Sequence, residues 1–180
     1  MKKIFIFFLF MTFITFFLNP LLAGEKYIFN SGTNNKYSLT VPAGWKIDDS
    51  GKTGAAILLI GPNDNSFNSQ IIVIISNAKN MTLEQCLKEL YETFKHPPSM
   101  YKEIKVISEI KVDIGGIKGY QLVVDYIMNK QGKNLSSRTL QTIILKNNCA
   151  FIITGVALKS NFSKYEKTFK IVTKSFKFEK

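Results

Sequence analysis

Residues 103–158 read EIKVISEIKVDIGGIKGYQLVVDYIMNKQGKNLSSRTLQTIILKNNCAFIITGVAL, and this stretch decides the fold. In its first part Ile104, Val106, Ile110, Val112 and Ile114 share one parity, against Lys105, Glu109, Lys111 and Asp113 on the other. That period of two predicts a strand with one wet side. Gly115-Gly116 follows, two residues that take a left-handed turn without penalty. Residues 118–128 form the next run, with Tyr120, Leu122, Val124, Tyr126 and Met128 on one parity and Val123 and Ile127 on the other. Breaks at 129–132 and at Lys146-Asn147-Asn148 then separate residues 137–145 from 149–158.

In the last two runs both parities are apolar: Ile143 and Leu145 beside Leu140 and Ile144, then Phe151 and Ile153 beside Ile152 and Val156. A sheet that is apolar on both faces needs cover on both. The connections are too short for parallel crossovers, so the neighbours are antiparallel. Two helices supply the cover. Over residues 82–95, Leu83, Cys86, Leu87, Leu90, Tyr91 and Phe94 recur at three-and-four spacing, and Thr82 with Gln85 forms a capping box. His96-Pro97-Pro98 stops that helix. Over residues 163–176, Tyr165, Phe169, Val172 and Phe176 line one face behind Phe162, with Ser163 and Glu166 as a second expected box. The expected class is α+β, an α/β/α sandwich around a central antiparallel sheet.

Upstream, residues 27–30 and 37–41 read as short strands around the turn-rich residues 31–35, and residues 55–60 and 70–75 as buried strands around Gly61-Pro62-Asn63-Asp64. At the start, Met1-Lys2-Lys3 precedes an apolar run over 4–18, then Asn19-Pro20 and the small residues near Ala23 and Gly24. This pattern predicts a secretory signal peptide over 1–24, cleaved after Ala23 or Gly24, and one domain over 25–180. The alternative is an uncleaved N-terminal anchor. Only Lys2 and Lys3 of the 24 basic residues, and none of the 13 acidic ones, lie in that leader, so the remainder is strongly basic. That excess suits an anionic surface or partner.

The residues that carry chemistry are few. His96 is the one histidine, at a helix end, with no cysteine or acid at ligand spacing. No metal, cofactor or catalytic residue is expected. Gly115-Gly116-Ile117-Lys118-Gly119 lies between strands, without a following helix to present amides to phosphate. Cys86 and Cys149 allow one disulfide in an exported chain. At 100° per residue, Lys164, Lys167, Lys170, Lys174 and Lys177 fall on the outer side of the last helix, a candidate partner-binding face. Nucleic acid is not an expected partner, because the aromatic residues follow core parity and form no stacking platform.

The run Tyr37-Ser-Leu-Thr-Val-Pro-Ala-Gly-Trp45, the helix over 82–95, the Gly116–Gly119 turn, the long meander and the closing Lys174-Ser175-Phe176 together resemble the PsbP-like and DcrB-like proteins. The resemblance spans residues 26–178. It implies an α/β/α sandwich and no enzyme: members act by binding, as subunits of photosynthetic complexes, envelope proteins, or partners and chaperones of other proteins. The expected function is an exported, periplasmic or secreted accessory protein that works through contacts with another envelope protein or an anionic surface. The alternative is a small-ligand carrier with a pocket between the sheet and one helix.

Overall fold

A computed structural model describes residues 24–30, 36–64 and 67–179. The expected leader therefore lies outside the described residues except for Gly24, as do the spacer 31–35 and Asn65. In chain order the elements are β1 (Glu25–Asn30), β2 (Lys36–Val41), β3 (Lys46–Asp48), β4 (Ile57–Asp64), β5 (Phe67–Asn77), α1 (Leu83–Lys95), β6 (Tyr101–Ile114), β7 (Ile117–Lys130), β8 (Lys133–Lys146), β9 (Cys149–Leu158), α2 (Phe162–Ser175) and β10 (Lys177–Phe178). The meander β6–β9 is as its sequence predicts. Its three turns hold two residues each, and all six have positive φ: Gly115-Gly116, Gln131-Gly132 and Asn147-Asn148. Such turns match the twist of the strands they join.

The main sheet is antiparallel, in the order β3-β4-β5-β9-β8-β7-β6. A second sheet, β1-β2-β10, was not foreseen. Strands of two or three residues such as β10 and β3 carry no readable period, so their sequences do not betray them. Nor is the fold a symmetric sandwich. One face of the main sheet meets α2 and β2 together, in a core that includes Leu39, Ile57, Ile71, Leu140, Phe151, Phe169 and Phe176. The other face meets α1 alone, through Cys86 and Leu87 against Tyr120, Leu122, Ile143 and Ala150. The shared core is the larger because α2 brings Phe162, Tyr165, Phe169 and Val172 inward, Phe176 follows just past its end, and β2 adds three more side chains.

Two further expectations are corrected. The single apolar face assigned to β6 is interrupted by register shifts between Lys102 and Lys105 and between Val106 and Ser108. Each bulge inserts a residue and reverses the parity. Ile104 and Val106 consequently pack on the α1 side, Val112 and Ile114 on the α2 side, and Ile110 is left 55% exposed. The second capping box does not form either. A 3-10 turn over Lys159–Asn161 feeds straight into α2, so Asn161 is the cap, without a side-chain bond, and Ser163 sits inside the first turn. In α1 the box is present: Gln85 N–H donates to Thr82 Oγ1 at 3.2 Å, and Thr82 N–H to Gln85 Oε1 at 2.7 Å.

Tyr37 on β2 is fully buried against Phe29, Phe151 and Phe176, with ring centroids 5.0 to 5.8 Å away. Its hydroxyl has no hydrogen-bond partner among the described residues, and burial pushes the phenol up. An orphaned buried hydroxyl costs stability that phenylalanine avoids. Tyr37→Phe should therefore raise the unfolding free energy by about 1 kcal/mol in urea titration. A loss of stability would show that the hydroxyl is bonded.

Candidate functional site

The path of α1 determines what the sheet leaves open. It must carry the chain from β5 to the far edge strand β6, across four strand spacings or about 19 Å. It leaves the corner where Ala78 N–H bonds Asn148 O at 2.8 Å and ends near the pairing of Tyr101 with Met128. A 13-residue helix is about 20 Å long, whereas the 14-residue strands below it run for about 46 Å. The helix thus lies as a diagonal and leaves one corner of its face uncovered.

That corner is a groove of about 400 Å³. Register places its floor in rows: Ile74 and Ile152, then Ile72 with Thr154 and Gln141, then Val156 with Thr139. Leu90, Thr93 and Phe94 of α1, continued by Pro97 and Pro98, form the wall, and Tyr101 and Tyr126 close one end in an edge-to-face pair at 5.4 Å. Burial pushes the Tyr126 phenol up, so it stays protonated. The lining is apolar with a few hydroxyl and amide groups, the chemistry of a site that grips apolar groups and orients them with a few polar contacts. Ile74 remains 38% exposed on its floor. The far side of α1 is fastened by the Tyr91 hydroxyl, which donates to Glu109 Oε2 of β6 at 2.5 Å. Burial and that bond push the Tyr91 phenol up to about 12.

Cys86 and Cys149 are not joined. Cys86 packs in the α1-side core and Cys149 against the α2-side core, so the sheet itself stands between them. Parity shows the reason: Ala150 and Ile152 point to α1, and Cys149, Phe151 and Ile153 to α2. The disulfide that the two cysteines allow is therefore not formed in this structure. Burial pushes the Cys86 thiol up, and His96 lies ten residues on, about 15 Å along α1, so the two form no nucleophile–base pair. Among the described residues, no three His, Cys, Asp or Glu side chains gather as a metal site.

The five lysines do not form one free face. Lys164 pairs with Asp64 at 2.9 Å and Lys170 with Glu166 at 2.5 Å, while Lys167 and Lys174 are exposed. Lys177 is not on the helix at all; it lies in β10, opposite Ser38. The helix ends at Ser175 because Phe176 turns extended to bury its ring. Below the N-terminus of α2, Asp125 of β7 is held by Arg138 of β8 through bonds of 2.5 and 2.9 Å, and by Lys159 at 2.8 Å. Arg138 in turn lies 5.7 Å over the Phe162 ring. The bond to Arg138 first, then Lys159, draws the Asp125 carboxyl down to about 2.

The remaining fixed point is the turn Val41-Pro42-Ala43-Gly44-Trp45, closed by Trp45 N–H to Pro42 O at 3.1 Å with Gly44 at φ 77°. It sets Trp45 edge-on to Tyr165 and Phe169 of α2, at 6.4 Å from each. The profile of the PsbP family matches residues 28–178, from β1 through β10. The chain belongs to the PsbP family. A comparison with curated proteins finds no match. Among solved structures, cyanobacterial PsbP (CyanoP) from Synechocystis sp. PCC 6803 is similar at a TM-score of 0.64, with 16% identity over 86% of this chain and 92% of that one. LpqN of Mycobacterium tuberculosis, described as involved in cell envelope biogenesis, gives 0.59, with 15% identity over 87% and 91%. The Ran-binding protein Mog1p of Saccharomyces cerevisiae gives 0.53, with 12% identity over 86% and 96%. At these identities the likeness is one of fold. In this PsbP-family chain, sequence reasoning anticipated a pocket between sheet and helix but named none of its residues. A partial signal was present: Thr139, Gln141 and Thr154 interrupt the apolar runs on the α1 parity, but Thr142 does the same on the α2 parity and is fully buried.

Proposed function

We propose that this PsbP-family chain is an exported, non-enzymatic accessory protein of the bacterial envelope that holds an apolar segment of another envelope protein in the groove beside α1. The observation that carries this reading is a half-uncovered sheet face with an apolar floor and a few hydroxyl groups, in a chain whose one histidine and two cysteines lie apart. Export rests on the leader pattern of residues 1–24; N-terminal sequencing of the chain from the envelope should then begin at Gly24 or Glu25. The likeness to LpqN supports an envelope setting without identifying a partner.

A benzophenone side chain in place of Ile74 should crosslink a discrete protein in intact cells, and Ile74→Asp should reduce recovery of the same complex by about tenfold, the loss of one apolar anchor. Because Ile74 is half open, the melting temperature should stay nearly constant. An adduct formed from position 167 and not from position 74 would move the interface to the lysines of α2. The second reading, a small-ligand carrier, is favoured by the groove volume, which lies within the range of small-molecule sites. Displacement of a lipophilic dye from the purified protein, with no protein adduct at position 74, would select it.

A further inference from the structure

Strand β6 is the last of the main sheet, so one of its edges has no neighbouring strand. Residues 107–111 are exposed in unbroken succession, on both faces of the strand, and Ile110 is the most exposed large apolar side chain among the described residues, at 55%. Both bulges of β6 lie before Ser108; from there to Ile114 the pairing with β7 runs without a shift. Bulges blunt an edge by twisting it away from a second strand, and this run has none.

Ile114 and Ile117 flank a two-residue turn and so exchange both ladder bonds. Alternation then turns the main chain of Ile110 and Val112 toward β7 and that of Glu109 and Lys111 outward. Among the described residues, no main-chain group of another segment bonds those outward groups.

The order of side chains decides what can pair there. Two copies meeting edge to edge about a two-fold axis pair antiparallel, with one residue opposite itself at the axis. A centre at Glu109 or Lys111 sets like charges together. A centre at Val112 brings Ile110 against the buried Ile114 and runs into the turn. A centre at Ile110 sets Ile110 against its own counterpart and Glu109 against Lys111 on both sides of it. In that register the outward main-chain groups are the ones that bond, and Ile110 falls at the closely spaced position between them, where it is covered. Lys111 is in no ion pair among the described residues. The Glu109 carboxylate is held at this edge by the Tyr91 hydroxyl.

We propose that β6 is a dimerisation edge for a second copy of this chain, paired antiparallel about Ile110 so that the two main sheets become one. The proposal does not depend on what the groove holds.

The test uses the full chain in intact cells. Ile110→Cys sets two thiols across the axis with α carbons about 4.5 Å apart, within reach of a disulfide. A membrane-permeant oxidant should convert this variant to a dimer that a reducing agent splits, with the wild type giving the background from Cys86 and Cys149. Ile107→Cys, at a position 44% exposed, controls for chance collision. Ile107 stands opposite Asp113 in this register, so its two copies are about 20 Å apart and the dimer should stay at background. In the Ile110→Cys chain, Lys111→Glu alone and Glu109→Lys alone should each lower the dimer yield by about tenfold, two symmetry-related pairs turning from attraction to repulsion. Both changes together restore the complementarity and should return most of the dimer, which a folding defect would not allow. No dimer from position 110, equal dimer from 107 and 110, no recovery in the double exchange, or an adduct at 110 with a different protein would each overturn the proposal.

Discussion

Gly155→Ala is expected to lower the unfolding free energy by about 3 kcal/mol, at the upper end of ordinary overpacking, seen as a fall in the urea midpoint with the slope unchanged. On β9, Gly155 pairs with Ile71 and Leu140 and faces α2. A Cβ there would stand 2.3 to 2.7 Å from the ring carbons of Phe169. Phe169 has no room to retreat: it is 1% exposed, stacked on Tyr165 at 6.2 Å and bounded by Trp45 and Phe162. The methyl would lift α2 from the sheet at the centre of the larger core. A double-mutant cycle makes the mechanism testable. Phe169→Ala alone should cost about 3–5 kcal/mol through its cavity. Combined with Gly155→Ala it should cost at least about 1 kcal/mol less than the sum, because the new methyl enters the vacated space. Strict additivity would show that the two positions do not contend for one volume.

The second large effect is expected at Asp125. Its carboxylate ties β7 to β8 through Arg138, and to the turn before α2 through Lys159. The side chains are 12% exposed for Asp125 and 28% for Arg138, so this is a mostly desolvated pair with one half-exposed lysine beside it. Asp125→Ala leaves the guanidinium without its counter-charge and should cost about 2–3 kcal/mol, below the range for fully buried pairs because solvent reaches Arg138. Acidity gives a separate readout. The carboxyl is drawn from 3.8 down to about 2, so its folded form holds protons less tightly than its unfolded form. The resulting stability is fully present above about pH 4 and is lost as pH falls through about 2. At neutral pH it amounts to about 2 kcal/mol. The difference between wild type and Asp125→Asn should therefore be near that value at pH 6 and shrink toward zero by pH 2. A difference that does not change across this window would remove Asp125 from the acid response.

How much was legible can be argued from particular residues. The meander was readable because its turns need positive φ, and Gly115-Gly116, Gly132 and Asn147-Asn148 are the residues that tolerate it. Helix α1 was readable from its stripe and its Thr82–Gln85 box. The parity of β6 was not, because a bulge is a feature of pairing, and Val106-Ile107-Ser108 looks the same with or without one. The Ser163–Glu166 box failed for a similar reason: the sequence offered the right pair, but the 3-10 turn before Phe162 moved the cap from Ser163 to Asn161. The five-lysine face lost Lys177 because burying Phe176 required the helix to stop.

Local composition alone settled the antiparallel strand order from β6 to β9, the two amphipathic helices, the family resemblance and the scarcity of catalytic side chains, because each depends on residues near one another in the chain. The groove, the separation of Cys86 from Cys149 and the open edge of β6 were decided by tertiary structure. A diagonal helix, a sheet standing between two thiols and a strand left last in the sheet are relations between distant segments, and no period along the chain encodes them.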